Sequence, residues 1–312
     1  MKQIETKKIK YFSIQKLSFQ IGDKLSFNLY IAKENRAQLF FHAGDTLSMK
    51  DIQELQKFSK VYINFNDLYA YKKYMHQKKI PSRQIYQEVD LGSITETLKS
   101  YMRHIFTNSA DSITLKKLEP WVSHLTTVIL QENTKIKDLL HLITKDYETC
   151  THSLNVSIYA AILGKEIGMP KTELKKLVLS AMLLDIGKTQ IDEKILYKKE
   201  ALSSHEFKII KMHATMGYKI AKNAGIVDKK ILSGIHHHHE RLDGSGYPNG
   251  FKNEHVSQFA RIIGICDTYA AMSSNRVHKE SKSAFEILSE MKRELKGKLD
   301  GELIQHFVKV LT

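Results

Sequence analysis

From about Ser93 onward, apolar positions recur at intervals of three and four, the spacing of amphipathic helices. The pattern predicts helices over 94–108, 113–131, 135–145, 147–167, 171–187, 203–223, 228–239, 256–273, 281–295 and 300–311. Pro120, Pro170 and Pro248 punctuate this run, and Ser203 with Glu206 forms a capping box for one helix. The first 85 residues alternate differently. Stretches 25–32, 39–42 and 61–63 are short and rich in aromatic or branched residues, as strands are. A helix opens between them at Ser48, with Asp51 three residues on and Ile52, Leu55 and Phe58 along one face. Residues 67–76 predict a basic, tyrosine-rich helix, and Pro81 and Ser82 mark a boundary. The fold class expected is mainly α. A small α/β regulatory or sensory domain (1–85) and a helical linker (86–134) precede an all-helical bundle (135–312).

Polar residues interrupt the apolar stripes at telling places. Asp185 follows Val178 by seven positions and Ala181 by four. His152 precedes Val156 by four, and Glu148 precedes His152 by four. His213 lies among Ile209, Ile210, Met216 and Ile220. His238 and His239 follow Ile235 by three and four, and Asp267 sits among Ala260, Ile263, Ala270 and Ala271. A single core histidine reads as a satisfied structural residue. Five successive helices that each aim an imidazole or carboxylate inward read instead as a metal site between facing helices. Imidazole and carboxylate without thiolate suit Mn, Fe, Zn, Ni or Co. Paired ions of this kind favour in-line attack on phosphorus, so phosphoester hydrolysis is the chemistry implied.

Composition adds limits. The net charge is +14, and residues 1–85 hold 16 basic and 7 acidic groups, or +9 of it. The charge suits nucleic acid, an anionic nucleotide or a membrane surface without choosing among them. Lys72, Lys73, Lys78, Lys79 and Arg83, interleaved with Tyr69, Tyr71 and Tyr74, read as a solvated helix face rather than a nucleic-acid site. Cys150 and Cys266 are too few for a disulfide framework and read as core-filling residues in a reducing compartment. With no apolar run long enough to span a membrane and no signal-peptide core, a cytoplasmic protein is expected. The more informative count is fifteen histidines, ten of them from His141 to His278. His236 and His237 read as partly exposed or supporting residues. Gly244 and Gly246 read as turn-shaping.

Several strings resemble one family. AMLLDIGK (181–188) resembles the HD core motif, and HHERLDGSGYP (238–248) closely resembles the second signature of the HD-GYP family. ICDTYAAMSSNR (265–276), THSLNV (151–156) and MHATMGY (212–218) resemble its flanking segments in order. The resemblance covers about residues 135–312. It implies a metal-dependent phosphodiesterase of cyclic di-GMP that yields pGpG or GMP. The implied ligands are His152, Asp185, His213, His238, His239 and Asp267, with Asp185 as the bridge. Glu148 fits an additional carboxylate. Lys188 is implied to contact the scissile phosphate and water, and Arg276 and Lys279 to hold the dinucleotide. Tyr247 belongs to the substrate-facing loop. Two divalent ions are implied, Fe or Mn, with one or three as alternatives. A GGDEF-domain protein at the GYP loop and a homodimer are the implied partners.

One departure matters. Leu184 stands where the family's HD pair has its histidine, and leucine cannot bind a metal. Val277 and His278 also replace the usual Pro-Tyr after Arg276. The expectation is an active phosphodiesterase. The alternative is a degenerate member that binds cyclic di-GMP or a partner and regulates without turnover.

Overall fold

The computed structural model describes residues 11–14, 19–33, 36–58, 60–64, 67–78, 91–108, 112–130, 139–140, 143, 149–274 and 283–311. Two compact units result, Met1–Thr97 and Leu98–Thr312. The expected boundary at Pro81 and Ser82 and the helix over 135–145 fall mainly outside the described residues.

The first unit holds a four-stranded antiparallel sheet of order β1-β4-β2-β3. Its strands are β1 (Tyr11–Ile14), β2 (Leu29–Lys33), β3 (Arg36–Phe41) and β4 (Val61–Asn64). β1 was not foreseen. β2 begins later than the pattern suggests, and Leu25 and Phe27 are buried in the segment ahead of it. Leu29, Ile31, Val61 and Ile63 alternate into the core, as a half-buried sheet requires. α1 (Met49–Gln56) carries the expected Ser48–Asp51 capping box. α2 (Leu68–Gln77) buries Tyr71, Tyr74 and Met75. Lys78 and the Tyr74 hydroxyl both donate to Asp23. At least these members of the basic, tyrosine-rich tract are therefore structural.

The second unit is helical. α3 (Leu91–Asn108) crosses the unit boundary. α4 (Ser112–Ile129) runs through Pro120, as the helix expected over 113–131 requires. α5 (Thr149–Glu166) is buried nearly all round and packs against α6 (Lys171–Met182) and α11 (Gln258–Ser274). A short helix, α7 (Glu193–Leu196), went unpredicted. α8 (Ser204–Lys211) opens on the expected Ser203–Glu206 capping box. α9 (His213–Asn223) and α10 (Lys229–His237) follow, and α12 (Ala284–Glu294) and α13 (Gly301–Leu311) close the chain. Cys150 and Cys266 are buried free thiols, as expected of core-filling residues. Among the described residues, no helix is long and apolar enough to cross a membrane.

Three helix boundaries differ from the periodicity in ways that build the site. The helix expected over 171–187 stops at Met182, and a 3-10 turn (Ile186–Gln190) follows. Leu183 and Asp185 take φ, ψ near −100° and 5°, in the bridge region, so the chain turns at Asp185. The helix expected over 203–223 is two helices that meet at Met212. The helix expected over 228–239 ends at His237, so His238 and His239 lie just beyond it. The picture of five helix faces is thereby corrected: Asp185, His238 and His239 come from turns.

Candidate metal centre

His213 opens α9 immediately after the Met212 break, and its ring Nδ1–H donates to the Ile210 carbonyl, 2.7 Å away. His238 caps α10, and its Nδ1–H donates to the Ile235 carbonyl at 2.8 Å. Each ring thus satisfies a carbonyl in the last turn of the preceding helix, where carbonyls lack partners. A carbonyl only accepts, so both protons must sit on Nδ1. The two Nε2 atoms are left facing each other at 3.3 Å.

Asp185 completes this arrangement. It is almost fully buried, with Oδ1 3.4 Å from His213 Nε2 and, among the described residues, without a hydrogen-bond partner. Its other oxygen, Oδ2, accepts from Lys188 Nζ at 2.8 Å. His239 lies alongside, its ring centroid 4.1 Å from that of His238 and 5.1 Å from that of His213. One ligand atom from each of the three histidines lies within 4.8 Å of the others.

His152 and Asp267 form the other half. His152 Nε2 donates to Asp267 Oδ1 at 2.8 Å, and His239 Nδ1 lies 3.8 Å from Asp267 Oδ2. α5 and α11 pack together and bring this pair into place. Tyr247 stacks on His239 with centroids 4.6 Å apart and planes 28° apart. Lys211 Nζ sits 5.2 Å from the centre of the Tyr247 ring.

Burial, joined by the neighbouring His213, pushes His238 down to about 4. Burial and the adjacent histidines hold His239 well below its usual range. Burial works against ionisation of Asp185, but the charge of Lys188, joined by that of the raised His152, outweighs it and keeps the carboxylate ionised. In the His152–Asp267 pair burial again opposes charge. The hydrogen bond prevails, raising the imidazole and lowering the carboxyl. Burial, then Asp267, raises the Tyr247 phenol.

This donor set fits a divalent cation. Two imidazole lone pairs and an unpaired carboxylate oxygen converge with no proton between them, and a cation resolves that arrangement. Of the expected ligands, the structure brings together His152, Asp185, His213, His238, His239 and Asp267, with Lys188 and Tyr247 beside them. Glu148, Arg276 and Lys279 lie outside the described residues. Leu184 is fully buried. His236 and His237 turn elsewhere: His236 stacks on Tyr218 and approaches Thr215, and His237 meets Ser233 and Phe251.

Three residues escaped the sequence reading. Glu240 is buried and accepts from the Asn249 and Phe251 amides, which closes the loop carrying Tyr247. Arg241 donates to the His238 and Glu240 carbonyls. Lys211 stands over Tyr247. Glu240 follows four histidines on no apolar stripe, so periodicity does not mark it as buried.

The HD domain family model matches residues 129–303. A cyclic di-GMP phosphodiesterase of Pseudomonas aeruginosa is 30% identical over 190 residues, covering 61% of this chain and 46% of that protein. A cyclic di-GMP phosphodiesterase of Thermotoga maritima is 31% identical over 224 residues, covering 70% and 61%. A 3'3'-cGAMP-specific phosphodiesterase of Vibrio cholerae is 33% identical over 167 residues, covering 53% and 38%. The chain thus spans less than two thirds of the length of these relatives. Its fold is similar to that of Bd1817, a HDG"Y"P protein from Bdellovibrio bacteriovorus, with a TM-score of 0.61 at 20% identity over 97% and 99% of the two chains. The family match covers more than half of the sequence and contains every described ligand candidate: the chain belongs to the HD domain family.

Proposed function

We propose that this protein is a metal-dependent phosphodiesterase that hydrolyses cyclic di-GMP to pGpG or GMP. The observation that carries the reading is the convergence of the His213 and His238 Nε2 lone pairs on the unpaired Asp185 Oδ1. Asp185, His213, His238 and His239 would hold one ion, and His152, Asp185 and Asp267 a second, with Glu148 available to it. Fe or Mn suits this oxygen and nitrogen set. Bound ions would supply Lewis acidity toward a phosphoryl oxygen and toward water.

The chain's own groups take the remaining roles. Lys188 is held beside Asp185 and offers a cation to the scissile phosphate. Arg276 and Lys279 would grip the dinucleotide phosphates. Tyr247, stacked on His239, presents an aromatic face at the edge of the site. The buried free thiols fit a reducing, cytoplasmic setting. Residues 1–85 would form a regulatory or sensory domain, and 86–134 a helical linker to the catalytic domain. A GGDEF-domain protein docking at the Tyr247 loop and a homodimer complete the proposal, both read by co-elution.

Leu184 favours a second reading, a member that binds the dinucleotide and signals without turnover. The test is incubation of cyclic di-GMP with protein loaded anaerobically with Mn²⁺ or Fe²⁺. Release of pGpG or GMP supports the enzyme. Tight binding without product, at full metal occupancy, assigns the second reading instead.

A further inference from the structure

We propose that Gly187, Gly246 and Gly264 are positioning residues that set the spacing between the two sides of the metal centre. The proposal rests on the metal-centre reading above. None of the three has a positive φ, so what they supply is space rather than an unusual backbone conformation. A Cβ placed on Gly187 would lie 1.9 Å from the His213 carbonyl oxygen and 2.5 Å from the Gly217 nitrogen. On Gly246 it would lie 2.5 Å from the His239 carbonyl oxygen and 2.4 Å from the Arg241 nitrogen. On Gly264 it would lie 2.7 Å from the His238 carbonyl oxygen. Each of the three clustered histidines therefore rests its own carbonyl on a glycine from another segment.

The partners are not arbitrary. Gly187 stands between Asp185 and Lys188, Gly246 directly precedes Tyr247, and Gly264 is three residues before Asp267 on α11. Each contact thus ties a histidine backbone to a segment bearing another group of the site. The His213 and His238 rings are fixed to their own helices through Nδ1–H, so a backbone shift carries Nε2 with it. Backbone cannot swing aside as a side-chain tip does. A methyl at any of these glycines must therefore change the separation of carboxylate or tyrosine from histidine. Gly164 on α5 offers the contrast. Its added Cβ would meet Leu174 Cδ1 at 2.6 Å and Leu177 Cδ2 at 3.2 Å, both movable tips remote from the centre.

The experiment titrates the full chain with Co²⁺ and follows its visible absorption bands, which report ligand geometry without any turnover. Gly264→Ala has the mildest clash and is the primary variant. Gly187→Ala and Gly246→Ala accompany it, and Gly164→Ala is the packing control. The expected result for Gly264→Ala is a Co²⁺ affinity about 10-fold weaker or more, with displaced absorption bands in a chain that keeps its helical circular dichroism. Gly164→Ala should lower the melting temperature and leave Co²⁺ affinity and bands unchanged. Wild-type affinity and bands in folded Gly264→Ala overturn the proposal, even if Gly187→Ala fails to fold. No Co²⁺ binding by the wild-type chain instead overturns the metal-centre reading itself.

Discussion

His213 and His238 point their Nε2 atoms at each other across 3.3 Å while both Nδ1–H groups are bound to backbone carbonyls. The pair is buried, and His238 is held down to about 4 by burial and by its neighbour. Unfolded histidine titrates near 6.5. Between about pH 6.5 and 4 the unfolded chain binds a proton that folded His238 refuses. The His238 contribution to the stability of the metal-free protein should therefore be complete above pH 6.5 and fall as pH drops toward 4, opposite in sign to that of the raised His152. For His238 alone the loss is about 3 kcal/mol. Urea unfolding in chelator at pH 7 and at pH 4.5 checks this, and equal midpoints would contradict it. Added divalent cation should raise the midpoint at pH 7, with a gain in stability of about 2.7 kcal/mol at one hundred times its dissociation constant.

Leu184→His should raise metal content. Leu184 is fully buried immediately before Asp185, and on the proposed reading an imidazole there would join His152, Asp185 and Asp267 at the second ion. Without metal, a buried imidazole in place of leucine costs about 1–3 kcal/mol. The variant should thus melt earlier than the wild type in chelator and gain more from added Mn²⁺. Metal analysis by mass spectrometry should find more ions per chain than in the wild type. An unchanged count would remove the case that Leu184 limits the site.

Lys188 and Asp185 should behave as a coupled pair. Asp185 Oδ2 takes its 2.8 Å hydrogen bond from Lys188, and the carboxylate is all but inaccessible to water. Lys188→Met leaves that charge poorly compensated and should destabilise the metal-free protein by about 3 kcal/mol. In an Asp185→Asn background the same change should cost much less. A double-mutant cycle from denaturant unfolding measures the coupling. Additive effects would show that the ion pair contributes nothing.

Much of this centre was legible because helices announce themselves by period, and a polar residue on an apolar stripe stands out. His152 and Asp267 are on helices, as the stripe predicts, whereas His213 opens a helix of its own after the break at Met212. Asp185, His238 and His239 were found for a partly wrong reason. Continued periodicity suggested helix there, whereas the chain turns at 183–185 and ends α10 at His237. The end of α10 is accompanied by the His238 ring-to-carbonyl bond and the turn after α6 by the close approach of Gly187 to the His213 backbone, details that hydrophobic periodicity does not encode. The sheet was less legible. β1 has only four residues, and its place at the edge is set by pairing with β4, a partner nearly fifty residues on.

Glu240 offers the last test, because it supports the site without facing the cluster of ligands. Its two carboxylate oxygens accept from the Asn249 and Phe251 amides at 2.7 and 3.0 Å, and the side chain is buried. Glu240→Gln keeps the shape but turns one acceptor into an NH₂ group that confronts an amide donor. One hydrogen bond is lost and one buried N–H is left unpaired, at a cost of about 1–3 kcal/mol. The loss falls on the loop that holds Tyr247 against His239, while α5 and α11 keep their packing. Amide hydrogen exchange should therefore accelerate at Asn249 and Phe251 and remain slow in the middle of α5. Exchange that rises equally in both places would mean that Glu240 stabilises the whole domain rather than this loop.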